Sequence, residues 1–468
     1  MRKFAIAERF FFVVFSHSRE SRNLRRREAA GNYAPTARRF RLSPEWCILI
    51  KRLKVPPFRR KPESHSSQGE STVCACAQRD SRVRGNGTGG GGGVYNPADM
   101  KIVKITLWAA DLPLSEPYWL SGGRLKFERL DSTFLRMETD EGVCGWGEGC
   151  PWGHTYLPAH GGGVRAGLAV VAPAILGLDP RATDAINRAM DAALPGHEYV
   201  KSAADIACWD ILGQCAAAPL WKILGGGEAA AVPVNSSIST GAPEEMVAAV
   251  EKARADGYRS HSAKIGGDDN ALDLARIAAL ESARRADEFI TYDINRAWTP
   301  AAAISILNSV SARGWIEQPC ETLEQCAHVA ARTPQPIMLD ECLLSFADHL
   351  RAWRTGACEG IKIKPNRAGG LTKARRIRDF AVAAGWRMHI EDTGGSALAD
   401  TAAIHLAASA PAEYRLASWL CHAHLAEDPV PGQGARNKNG FAAPPDSPGL
   451  GVIPDAKSLG KPAAVYSL

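Results

Sequence analysis

A chain of 468 residues, 45% apolar and 23% charged, is long enough to bury a large core and to divide into two or three domains. Its formal charge of +6 is unevenly spread: residues 1–99 hold 20 Lys and Arg against 8 Asp and Glu, leaving 36 against 42 in the rest, so the remainder is acidic and unsuited to a nucleic-acid partner. No run approaches the ~20 apolar residues of a membrane span. The 12 cysteines lack an even framework of spacings, which suits reduced thiols in the cytoplasm rather than a disulfide scaffold.

Residues 1–99 are Arg-rich, carry no sustained periodicity and end in GNGTGGGGG, so they read as a disordered basic leader lying upstream of a natural start at Met100. Residues 100–228 read as an α+β capping domain. KIVKITLWAADLPL and FERLDSTFLRMETDEGVCGWGE alternate in the manner of antiparallel strands. LPAHGGGVRAGLAVVAPAILG and SAADIACWDILGQCAAAPLWKILGG have helical spacing, with Ser202 placed to cap the second. Two glycine-bearing loops, Tyr118 to Arg124 and Pro151 to Gly163, have the composition of a lid. His160 with its three glycines resembles an oxyanion loop, but the chain has no G-x-S-x-G to partner it, which excludes that chemistry.

Residues 229–425 read as a TIM-type barrel. Apolar runs end abruptly in a carboxylate at Asp293 (FITYD), Glu317 (GWIE) and Asp340 (PIMLD), about 23 to 24 residues apart, the length of one strand, one helix and two loops. The same ruler lands on Lys264 (AKIGG), Lys364 (IKIKPNRAGG), Glu391 (MHIED) and Trp419 (LASWL). VPVNSSIS is the expected first strand, and each later strand is followed by a helical stretch such as PAAAISILNSVSARG or TKARRIRDFAVAAG. Residues 426–468, rich in Pro, Gly and Asn, form a tail returning to the cap.

One carboxylate at a strand end is ordinarily a solvated loop residue. Five charged positions in register with one barrel period are not, because a closed parallel barrel points every strand's C-terminal end at one mouth. Three acids flanked by two lysines there make a metal site with a base on either side. Cys74-x-Cys76 and Cys421-His422-x-His424 lack second pairs at zinc-like spacing and read as incidental.

From Met100 onward the chain resembles the enolase superfamily, in its muconate-lactonizing and mandelate-racemase branch. The resemblance rests on SAADIACWDILGQCAAAPLWKILGG, AKIGG, DINRAW, WIEQP, LDE and IKIKPNRAGGLT together. It implies a (β/α)7β barrel with an N-terminal α+β cap completed by the tail. Carried over by residue, it implies Mg²⁺ held by Asp293, Glu317 and Asp340, with Lys264 and Lys364 as acid/base groups on opposite faces of a small carboxylate. Ser262 stands where members commonly carry a first lysine, so Lys362, two before Lys364, is expected either to supply the missing positive field or simply to pair with a carboxylate lower in the barrel. Tyr156 and Trp419 as an aromatic pair, with Asp392 and Thr393 near the ring nitrogen or hydroxyl, resemble the members acting on proline derivatives. The activity so implied is dehydration of a cyclic hydroxy-amino acid, with epimerisation of a proline betaine as the alternative and sugar-acid dehydration less favoured. The family also implies a homo-oligomer with no membrane partner.

Overall fold

A computed structural model describes residues 100–227, 231–267 and 269–468; the leader expected over residues 1–99 lies outside them. The first elements are two long strands, β1 (Ile102–Leu120) and β2 (Leu125–Thr139), then β3 (Cys144–Gly149). β1 and β2 pair antiparallel almost throughout, with a register shift between Pro113 and Tyr118, where a proline has no N–H to give the ladder. Past the shift Tyr118 pairs with Phe127 and Leu120 with Leu125. YWLSGGR is therefore the tip of a hairpin rather than a free loop.

Four helices follow: α1 (Gly161–Ile175), α2 (Thr183–Ala193), α3 (Glu198–Cys215) and α4 (Leu220–Ile223). The expected start of α3 at Ser202 is corrected: the helix begins four residues earlier, and Ser202 is buried inside it with no partner for its Oγ. His197, left-handed at φ 55, sets the boundary. Because α3 is buried from Tyr199 to Ile211 on every side, its polarity pattern carries no edge from which a start could be read. It packs close on β3 because Gly145 and Gly147 have no Cβ; one there would collide with the carbonyls of Ala207 and Ala203.

The chain then crosses a two-residue strand, β4 (Val232–Pro233), and enters the alternating part. The order is β5 (Asn235–Ile238), α5 (Pro243–Ala255), β6 (Ser260–Lys264), α6 (Asn270–Ala283), β7 (Phe289–Asp293), α7 (Pro300–Ser309), β8 (Trp315–Glu317), α8 (Leu323–Ala330), β9 (Ile337–Leu339), α9 (Phe346–Thr355), β10 (Gly360–Ile363), α10 (Pro365–Ala368), α11 (Leu371–Ala384), β11 (Arg387–Ile390) and α12 (Ala397–Ala408). Proline opens α5, α7 and α10, where its missing N–H costs no helix bond. β5 to β11 form one parallel sheet in sequence order. Residues 414–418 close it: Leu416 N bonds to Met388 O at 2.8 Å and Asn235 N to Ser418 O at 2.8 Å, so this segment touches both sheet edges. The result is a (β/α)7β barrel of the TIM type.

The tail supplies β12 (Phe441–Ala442), which pairs with β4, and β13 (Ala464–Ser467), which adds to the free edge of β1. Cap and barrel are also joined by buried carboxylates. Asp205 on α3 accepts bonds from Thr372 N at 2.9 Å and Thr372 Oγ1 at 2.6 Å, at the start of α11. Glu148 on β3 accepts from Ser396 Oγ at 2.6 Å, Ser396 N at 3.0 Å and Ala399 N at 3.3 Å, at the start of α12. Each fills orphan donors at a helix N-terminus.

Burial pushes the Glu148 carboxyl up to about 7 in spite of those donors. Folding therefore binds its proton more tightly than the unfolded chain, whose carboxyl titrates near 4.5, and that contribution to stability is lost as pH rises through about 7. Denaturant midpoints should fall from about pH 5 to about pH 8, and Glu148→Gln, which stays neutral, should remove up to about 3 kcal/mol of the fall. An unchanged pH dependence in the variant would contradict this.

Candidate active site

Strand register brings the charged strand ends together. Lys264 lies beside Asp293, and Asp293 beside Glu317, as direct neighbours in the sheet. Asp340, Lys364 and Glu391 each follow the last residue of β9, β10 and β11. All six are at least nine-tenths buried; Glu317 has no exposed surface at all. Carboxylates this deep need compensating charge. Lys264 Nζ lies 2.5 Å from Asp293 Oδ2, and Lys364 Nζ 2.9 Å from Asp340 Oδ2. Arg367 reaches Asp340 Oδ1 at 2.6 Å. Lys362 bridges Glu317 at 3.1 Å and Glu391 at 2.9 Å.

The electrostatics follow from this crowding. Burial is the largest single influence on the Lys264 ammonium and opposes its charge, but Asp293, Tyr118 and Glu317 together outweigh it and hold the ammonium above its ordinary range. Burial would raise Asp340, yet Arg367 first and then the lysines hold it well down. Glu317 is pushed well up by burial and then by the Asp293 charge.

Among the described residues no three acid, His or Cys side chains are already drawn into a cage, because each acid is engaged by a cationic side chain. The donor set nonetheless fits a hard divalent ion. Both Glu317 oxygens, Asp340 Oδ1 and Glu341 Oε2 are buried without an aligned hydrogen bond, even where an ammonium or guanidinium is close. Such bare, buried carboxylate oxygens are the ligands Mg²⁺ prefers.

Over these groups lies a small cavity of about 40 Å³ lined by Lys264, Lys364, Lys362, Asp293 and Glu391 below and by Tyr118, Trp152, Tyr156 and Trp419 around its sides. That is room for roughly three waters. The cap reaches the barrel beside it, where the Tyr118 hydroxyl meets Ser237 Oγ at 2.5 Å.

Tyr156 and Trp419, expected as an aromatic pair, make no ring contact; they line different walls. The Tyr156 hydroxyl sits 3.3 Å from Asp340 and Glu341 and 3.4 Å from Lys364 Nζ. Trp419 instead packs with Tyr118 and Trp152, each 5.8 Å away between ring centroids, and with His424 at 5.4 Å. Sequence reasoning did not assign Tyr118, Trp152 or His424; the only signal was their place in or near aromatic loops. Asp392 and Thr393 line the cavity, but Asp392 is already bonded by Asn366 Nδ2 at 2.9 Å and Thr393 N at 2.7 Å, and Thr393 Oγ1 meets Tyr199 hydroxyl at 3.0 Å. Burial pushes the Asp392 carboxyl well up. Elsewhere, His160 caps α1 through Gly163 N, and His422 binds Asp400 at 2.6 Å, so neither belongs to the site.

A capped parallel barrel that presents strand-end acids and lysines to one cavity is an enzyme architecture for small anions. Residues 104–225 match the model of the mandelate racemase and muconate lactonizing enzyme N-terminal domain, and residues 245–458 match that of the enolase C-terminal domain-like family. The chain is a member of the enolase superfamily. It is 40% identical over 370 residues to a cis-3-hydroxy-L-proline dehydratase of Roseibium aggregatum, covering 79% of this chain and 100% of that one. To the N-succinyl-L-Arg/Lys racemase of Bacillus cereus it is 30% identical, over 66% of this chain and 85% of the other. A superfamily member from Roseovarius nubinhibens, solved with magnesium, is 65% identical with a TM-score of 0.77, covering 79% of this chain and 100% of that one.

Lys362 is 4% exposed and neutralises two buried acids at once. Lys362→Met leaves both uncompensated and should cost about 3–5 kcal/mol in urea unfolding; a loss below about 1 kcal/mol would contradict this pairing.

Proposed function

We propose that the chain abstracts the proton α to the carboxylate of a small cyclic amino acid and eliminates its β-hydroxyl, converting cis-3-hydroxy-L-proline to Δ1-pyrroline-2-carboxylate. The observation that carries this reading is a cavity lined by lysines paired to acids and by aromatic rings, in a chain 40% identical to a dehydratase of that substrate.

Asp293, Glu317 and Asp340 would hold a divalent cation, as the 65% identical magnesium complex supports. When bound, Mg²⁺ supplies the positive charge that stabilises an enediolate. Lys264 or Lys364 takes the Cα proton on its Nζ. The C3–O bond then breaks as a lysine ammonium returns a proton to the 3-hydroxyl, which leaves as water, and the enamine tautomerises to the ketimine. Lys264 serves as a base only when the Asp293 charge is engaged elsewhere, since that carboxylate otherwise keeps the ammonium protonated. Tyr156 and Trp419, with Tyr118 and Trp152, line the cavity and would hold a cationic ring nitrogen by cation–π contact. The cap keeps bulk water from the intermediate.

Epimerisation of a proline betaine is the second reading, favoured by two lysines facing one cavity. Sugar-acid dehydration is disfavoured because His389 lies two residues before the strand-end Glu391 and is buried, its Nδ1 4.0 Å from Glu391 and neither ring nitrogen hydrogen-bonded. As the family resemblance implies, we also propose a homo-oligomer working in the cytoplasm. No described helix is long and apolar enough to cross a membrane.

The test is NMR in D₂O with Mg²⁺ and a panel of proline derivatives. Loss of the Cα proton with formation of the ketimine from cis-3-hydroxy-L-proline is expected, and Lys264→Ala or Lys364→Ala should slow it roughly 100- to 10,000-fold. Exchange without elimination, on betaines alone, would replace the dehydratase with the epimerase; no exchange on any member would refute both.

A further inference from the structure

The loop after β7 has a feature the chemistry above leaves unused. Asn295 and Arg296 are consecutive non-glycine residues in the left-handed region, at φ 44 and 68. Such backbone persists only where its surroundings hold it, and it clusters at working sites. Here the holding groups are on both sides of the cavity. On the barrel side, Asn295 N bonds Asp293 Oδ1 at 3.0 Å, Asn295 Nδ2 bonds Glu341 Oε1 at 3.0 Å, and Arg296 N bonds Gln318 O at 2.9 Å. On the cap side, Ser121 Oγ of the hairpin tip donates to Asn295 O at 2.8 Å. The Arg296 Nη2 donates to the Tyr156 carbonyl at 2.9 Å, and its guanidinium lies 5.8 Å from the Tyr156 ring centroid. This two-residue turn therefore links the acids to both lid segments.

We propose that Arg296 is a positioning residue: it fastens the Pro151 to Gly163 loop over the cavity by gripping Tyr156 at both carbonyl and ring, and so sets the Tyr156 hydroxyl against Lys364 and Asp340. The guanidinium suits this because its planar fork donates to a carbonyl while its face meets an aromatic ring. Its other arm lies 3.3 Å from Glu321, which is 65% exposed and so contributes little. Its effect on turnover rests on the function proposed above, but the fastening itself does not.

Chymotrypsin nicking of the full-length protein reads the fastening without substrate. Tyr156 and Leu157 are 5% and 7% exposed, so cleavage there needs the loop to open and tracks the open population. Arg296→Ala should speed that nick about tenfold, the scale of one charge-assisted hydrogen bond. Arg296→Gly should do the same while folding at least as well, since glycine relieves the left-handed strain. Arg296→Lys should recover part of the protection. In turnover, the alanine and glycine variants should raise KM about tenfold more than they lower kcat, with half-saturation by Mg²⁺ unmoved. Nicking within twofold of the parent in Arg296→Gly, or nicking that accelerates with KM and kcat both unchanged, would overturn the proposal. If no proline derivative turns over yet the nick accelerates as stated, the fastening stands and the proposed substrate falls.

Discussion

Negative charge packed where water cannot reach governs this molecule. Asp293, Glu317 and Asp340 end neighbouring strands, so sheet geometry forces them together, and burial strips each of its hydration. Lys264, Lys362, Lys364 and Arg367 are arranged as their counter-charges. An ion pair inside a protein rarely adds net stability, because desolvation offsets the attraction. The cluster is thus a burden that the rest of the fold must carry, and its persistence is best explained by the chemistry it permits. On the function proposed above, these carboxylates would exchange their ammonium partners for a divalent cation, which would free a lysine to take a proton.

The second layer of the design is the seam between cap and barrel. Asp205 and Glu148 reach from the cap to the first turns of α11 and α12. Glu148 bonds Ser396, three residues beyond Thr393, so it anchors the far end of the loop that carries Glu391, Asp392 and Thr393 to the cavity. On the opposite side, Asn295 and Arg296 hold the hairpin tip and the Tyr156 loop. Two mechanical links of different chemistry thus span the site, a buried carboxylate on one flank and a partly exposed guanidinium on the other.

Much of this was legible in the sequence, for a definite reason. A parallel barrel repeats on a nearly constant ruler, so apolar runs ending at Asp293, Glu317 and Asp340 announce neighbouring strands, and register then makes their ends adjacent. Fold class follows from the same periodicity. The lid was legible only in composition. Nothing in YWLSGGR says that Tyr118 will cross to Ser237, nor in PWGHTYLPAHGGG that Tyr156 will turn towards Asp340 while Trp152 turns towards Trp419. Those directions are set by the hairpin's register shift at Pro113 and by the left-handed turn at Trp152, φ 72, both tertiary outcomes. Ser202 failed as a cap for the opposite reason: a helix buried on all faces offers no polar edge. Lys362 was placed correctly on the inward face beside Lys364, but only the structure names Glu317 and Glu391 as its partners.

The exchange of counter-charges is the claim most open to direct observation. A crystal structure of the protein soaked in Mn²⁺, whose anomalous scattering marks the ion unambiguously, should place one cation among Asp293, Glu317 and Asp340 with the Lys264 and Lys364 ammonium groups displaced from those oxygens. Anomalous density elsewhere, with both lysines still paired to Asp293 and Asp340, would contradict it.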